Sequence, residues 1–73
     1  MMTPHQDDIK QQIGAMIREA RKARGLTQVE LAEKLSVTRT AIQGYESGKQ
    51  NLTIDTMQRL AILLGITFII KPA

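Results

Sequence analysis

Apolar side chains recur at spacings of three and four through most of this chain, and the pattern stops at a glycine or a cap-forming residue each time. Ile9, Ile13, Ile17 and Ala20 share one stripe with charges between them, the mark of a helix that buries one face. Thr3, Pro4 and Gln6 form a capping signature ahead of that stripe, and Gly25 follows Arg24 where a helix end needs positive φ. The first helix is therefore predicted over about residues 4–24, with Arg21, Lys22 and Arg24 at the negative end of its dipole. Thr27 and Glu30 repeat the capping pattern, and Val29, Leu31, Ala32 and Leu35 predict a short second helix over 28–35. Ser36, Val37 and Thr38 break the pattern, after which Ala41, Ile42 and Tyr45 predict a third helix over 39–47, closed by Gly48. Thr53 caps a fourth helix with Ile54, Met57, Leu60, Ala61 and Leu64 as its inner face; Leu52 staples onto Met57, and Gly65 ends the run.

Residues 66–70 behave differently. Ile66, Thr67, Phe68, Ile69 and Ile70 are β-branched or aromatic and too few for another helix, so they predict a strand. A single strand in an otherwise helical chain has backbone groups to pair, and Ile66, Phe68 and Ile70 on one face need cover. The same strand from a second copy, paired about a two-fold axis, supplies both. A tail that folds back onto its own helices is the plain alternative. The predicted fold class is all-α: a four-helix domain over residues 1–65, then a dimerisation strand and tail over 66–73.

At 73 residues the chain is expected to be one small domain, or half of something larger, and 42% hydrophobic with 23% charged residues is globular usage. Cysteine is absent, so disulfides and thiolate zinc sites cannot add stability, and dimerisation is the ordinary remaining source. The longest apolar run, over residues 60–70, is broken by Gly65 and Thr67 and falls short of the roughly 20 residues of a membrane span. The polar first residues lack a secretory pattern, so a cytoplasmic location is expected. His5 has no second ligand type beside it, Asp7 and Asp8 suit the start of the first helix dipole, and Met16 and Met57 read as core or interface fillers. No metal or cofactor is expected. No nucleophile has a histidine base and no glycine-rich phosphate loop follows a strand, which argues against an enzyme. A net charge of +3 permits a polyanionic partner without requiring one.

Two short helices joined by a three-residue turn must cross closely, and Ala32 is the small residue that allows it. Leu31, Leu35, Val37, Ile42 and Tyr45 then form the core, leaving Arg39, Thr40, Gln43, Gly44 and Ser47 outward on the third helix. That face lacks bulky apolar groups and carries hydrogen-bonding ones, as base edges in a major groove require.

The run Leu26-Thr27-Gln28-Val29-Glu30-Leu31-Ala32 through Gly48, with Val37, Ile42 and Glu46 in register, resembles the Cro/C1-type (Xre) helix-turn-helix family over residues 13–65. The C-terminal strand is similar to that of HipB-like antitoxins. The resemblance implies a sequence-specific repressor that binds a palindromic double-stranded operator as a homodimer, with a toxin protein as a further partner if it is an antitoxin. It implies base readout by Thr38, Arg39, Thr40, Gln43 and Gly44, and phosphate contacts from Gln28, Ser47, Lys49, Gln50 and Asn51. Arg21 and Glu46 become a structural ion pair, and Ile66, Phe68, Ile69 and Ile70 a dimer interface. Arg18, Lys22 and Arg24 read as a solvated helix face. Two positions depart from the family pattern. Ser36 stands where the turn usually has glycine, so it takes a left-handed backbone or the turn differs; Gly44 weakens the recognition helix by about 1 kcal/mol and opens its backbone to DNA. The alternative function is a protein-interaction module that keeps this scaffold without binding an operator.

Overall fold

The computed structural model describes residues 4–71, with the backbone alone for residues 4–7. Four helices account for its regular structure: α1 (Pro4–Ala23), α2 (Gln28–Leu35), α3 (Arg39–Ser47) and α4 (Ile54–Leu64). The proposed cap at Thr3 and Gln6, together with the side chains of His5 and Asp7, lies outside the described residues.

Local chemistry sets the helix ends. The Thr27 hydroxyl accepts from the Glu30 N–H at 3.0 Å while the Glu30 carboxylate accepts from the Thr27 N–H at 2.9 Å, a complete capping box. Thr38 and Thr53 accept from the N–H groups of Ala41 and Thr56 at 3.0 and 3.1 Å. Each such cap contributes about 1 kcal/mol by satisfying an orphan donor. Ser36 does take the left-handed conformation, at φ 60° and ψ 45°, and its N–H closes α2 on the carbonyls of Ala32 and Glu33. Gly48 closes α3 the same way, at φ 75°.

Ile17, Leu31, Leu35, Ile42 and Leu60 are completely buried and draw all four helices onto one core, with Ile13, Ala32, Tyr45 and Leu64 around them. α3 packs against both α1 and α2. At Gly14 the backbone of α1 meets that of α3: a Cβ there would lie 2.5 Å from the carbonyl oxygens of both Tyr45 and Glu46. The inner face of α4 differs from expectation at its start, because Ile54 is the first residue of the helix, ahead of the turn anchored by Met57, and is 84% exposed. Val29 is half exposed for the same reason of position, in the first turn of α2.

Arg24 does more than solvate a helix face. Its Nε donates to the Leu64 carbonyl at 2.8 Å, placing a cation at the C-terminus of α4. Arg59 does the same for α2, reaching the Leu35 carbonyl at 2.7 Å.

No strand occurs among the described residues. Instead, residues 66–71 lie along α1, where Ile66 and Phe68 pack half-buried against the core of their own chain. The cover expected from a second copy for these two side chains is thus supplied internally, while Ile69 and Ile70 stay exposed at 69% and 39%.

Candidate nucleic-acid interface

Ala32 of α2 is buried in the core, and its carbonyl accepts the Val37 N–H at 3.0 Å, which fixes the turn between α2 and α3. With Ile42 and Tyr45 buried, the helical repeat turns Thr40, Gln43 and Ser47 outward, and Arg39 is exposed beside them. Thr38 is exposed as well, but its hydroxyl is engaged as the cap of α3.

An ion pair ties this face to α1. Arg21 Nε and an Arg21 Nη reach the two Glu46 carboxylate oxygens at 2.7 and 3.1 Å, and the other Nη donates to the Leu26 carbonyl at 2.8 Å. The two side chains are only 10% and 5% exposed. Gln28 joins the pair, its amide donating to Glu46 at 3.2 Å, so the N-terminus of α2 is held to the recognition helix too. Arg21 is therefore neutralised and contributes orientation, not surface charge.

Over that pair opens a cleft of about 590 Å³ walled by α1, α3 and the loop after it. Gln28, Thr40, Gln43, Ser47, Lys49 and Gln50 line it, as does Arg18, which the sequence reading left on a solvated face. Among the described residues neither Arg18 nor Lys49 has an ion-pair partner, so the cleft carries net positive charge. Arg39 lies over a neighbouring hollow with Thr27, Gln28 and Val29.

Two positions serve the loop as well as the outer face. The space above Gly44 is filled by Gln50, whose Oε1 would lie 2.7 Å from a Cβ there, and the Gly44 carbonyl accepts the N–H groups of Lys49 and Gln50 at 3.0 and 3.1 Å. Gly44 thus makes room for the returning loop. Asn51 stands apart from the cleft: its Oδ1 accepts from the Lys10 ammonium, beside an apolar hollow containing Ile9, Leu52 and Met57. Residues 66–70 lie elsewhere, Ile66 and Thr67 being next to Met16, Ala20 and Ala23 of α1.

Glu30, exposed at the start of α2, has its pKa held below the ordinary glutamate value, first by the Thr27 N–H and then by the Thr27 hydroxyl, with Lys34 adding a smaller pull. Among the described residues no three His, Cys, Asp or Glu side chains gather as a metal site would need.

A family model described as helix-turn-helix matches residues 17–70. The immunity repressor protein of Bacillus phage phi105 is 39% identical over 54 residues, 74% of this chain and 38% of that protein. The chain spans 60% or less of the phage relatives it matches. The restriction-modification controller protein C.AhdI from Aeromonas hydrophila superposes with a TM-score of 0.72 at 33% identity, over 78% of this chain and 86% of its own. C.Esp1396I, a controller protein solved as a tetramer in complex with its natural 35 base-pair operator, gives a TM-score of 0.72 at 30% identity, over 81% of this chain and 78% of that one.

Proposed function

The chain belongs to the helix-turn-helix family of Cro/C1-type regulators, and from that premise we propose that it is a transcriptional repressor that binds double-stranded DNA sequence-specifically as a homodimer. Two recognition helices, α3 from each copy, enter successive major grooves about 34 Å apart on a palindromic operator. Repression, including that of its own promoter, follows from occlusion. The family is one of regulators, not enzymes. No helix among the described residues is long and apolar enough to cross a membrane, and the proposed place of action is the cytoplasm, where the DNA is.

Arg39, Thr40 and Gln43 read base edges: the Arg fork suits guanine, the Gln amide suits adenine and the Thr methyl suits thymine. Gln28, Ser47, Lys49 and Gln50 hold the phosphates on either side of the groove, and Arg18 extends that set onto α1. The observation that carries the reading is the polar outer face of α3, fixed by the Arg21–Glu46 pair and flanked by a cleft in which Arg18 and Lys49 have no ion-pair partner among the described residues. The antitoxin role suggested by the tail has no second observation behind it, since a tail of this kind serves a dimer without any toxin.

Selection of bound duplexes from a random pool tests the proposal. Enrichment of a two-fold symmetric sequence with half-sites one helical turn apart is the expected outcome. A pool that stays unenriched assigns the scaffold to protein interaction instead.

A further inference from the structure

Gly44 leaves a gap in the outer surface of α3, and a side chain from outside the helix closes it. A Cβ at position 44 would lie 2.7 Å from the Oε1 of Gln50 and 2.8 Å from its Cβ, so the Gln50 side chain lies over the glycine where a residue of α3 would otherwise project. On a helix, position 44 neighbours positions 40 and 47, and Thr40, Gln43, Ser47 and Gln50 all line the same cleft. The Gln50 carboxamide is thereby brought into the polar surface of α3, although the residue itself belongs to the loop after it.

The helix also sets where that carboxamide sits. The Gly44 carbonyl accepts the N–H groups of Lys49 and Gln50 at 3.0 and 3.1 Å, so the backbone that carries Gln50 is bonded to the very residue its side chain covers. A side chain anchored in this way shares the placement of α3, and base readout needs groups held on a rigid element. The polar side chains of the cleft differ in availability. The Ser47 hydroxyl donates to the Gly44 carbonyl at 3.3 Å, and the Gln28 amide donates to Glu46 at 3.2 Å. Those of Thr40, Gln43 and Gln50 are exposed and have no hydrogen-bond partner among the described residues. An uncommitted carboxamide offers a donor and an acceptor side by side, the pair that matches the N6 amino group and N7 of adenine in a major groove. A phosphate oxygen would use the donor alone.

We propose that Gln50 is a specificity-determining residue, its carboxamide reading an adenine from the place that a side chain at position 44 would hold. The inference rests on the operator-binding reading above and gives Gln50 a role beyond holding phosphate. Gly44 is then required because it lacks a Cβ, and the group it presents to the base belongs to the loop.

Titration of the selected operator and its single-base variants tests this. Gln50→Ala should lower discrimination at one base pair per half-site by about 5- to 150-fold and leave the preferences at the other base pairs unchanged. Gly44→Ala should lose preference at the same base pair, because its methyl group evicts the carboxamide, and the double variant should lose no more than either single one. Gln50→Glu should exchange adenine for cytosine at that position, since a carboxylate accepts from the cytosine amino group. Gln50 is exposed, so its two variants keep the test decisive if Gly44→Ala fails to fold. Equal weakening of every duplex by Gln50→Ala, or relaxation at a different base pair by Gly44→Ala, overturns the inference and leaves operator binding standing. A wild-type chain that prefers no duplex overturns both.

Discussion

Arg21 and Glu46, 25 residues apart in sequence, meet through two guanidinium–carboxylate contacts of 2.7 and 3.1 Å in a nearly buried position between α1 and α3. Removing either partner strands a buried charge, so Arg21→Ala and Glu46→Ala should each lower unfolding free energy by about 3–5 kcal/mol. Replacing both by apolar residues of similar size should recover most of that loss. Urea unfolding of the two single variants and the double variant checks the cycle; a negligible effect of Glu46→Ala would show that the pair does not hold α3.

The crossing at Gly14 admits no side chain. Gly14→Ala gains about 1 kcal/mol of helix propensity but forces a methyl group to within 2.5 Å of two carbonyl oxygens, so a net loss of about 1–3 kcal/mol is expected from overpacking. Ser36→Gly should act in the opposite direction and raise stability by up to about 1 kcal/mol, by relieving the left-handed strain of a residue with a Cβ. Thermal unfolding of both variants tests the pair of signs.

Much of this architecture is legible in the residues. The caps at Thr27 and Thr53 and the stops at Ser36, Gly48 and Gly65 are local, set by groups within a few positions of each other, and the structure has each where the sequence puts it; Thr38, read from the sequence as a break and a base-contacting residue, is the cap of α3. Features that depend on which helix lies opposite were harder to read. Gly14 looks like any weak helix position until α3 is laid across it, and Arg24 looks solvated until the end of α4 arrives beside it. Ile54 matches the apolar stripe by spacing yet precedes the turn that reaches the core. Of the interface residues, Arg21 with Glu46 and the outward set on α3 followed from spacing and family likeness. Arg18 did not, because its place in the cleft depends on the angle between α1 and α3.

Contacts to bases and to phosphates should separate by variant. Arg39→Ala should relax preference at one base pair per half-site and cost about 1–3 kcal/mol there. Lys49→Ala and Arg18→Ala should weaken all duplexes alike and reduce the slope of log affinity against log salt by about one unit per phosphate contact removed. Fluorescence-anisotropy titrations over a panel of single-base operator variants at several salt concentrations distinguish the two classes. An Arg18→Ala slope equal to wild type would return Arg18 to a solvated role.

Glu30 gives a pH dependence of known sign. Its pKa is lower folded than unfolded, so the stabilisation it brings is present above the unfolded value and is lost as pH falls through the folded one. The side-chain carboxyl resonance of Glu30 should titrate below that of an unstructured glutamate, and Glu30→Gln should flatten the acid limb of the stability profile. A Glu30 midpoint at or above the ordinary value would mean the capping box does not persist in solution.

The central claim is that the outer face of α3 reads DNA, and equilibrium binding of the selected duplex against one with scrambled half-sites, measured across a salt series, tests it most directly. The account predicts tight binding of the first that weakens linearly in log–log form as salt rises, and much weaker binding of the second. Equal affinity for the two duplexes, or none for either at low salt, would contradict it.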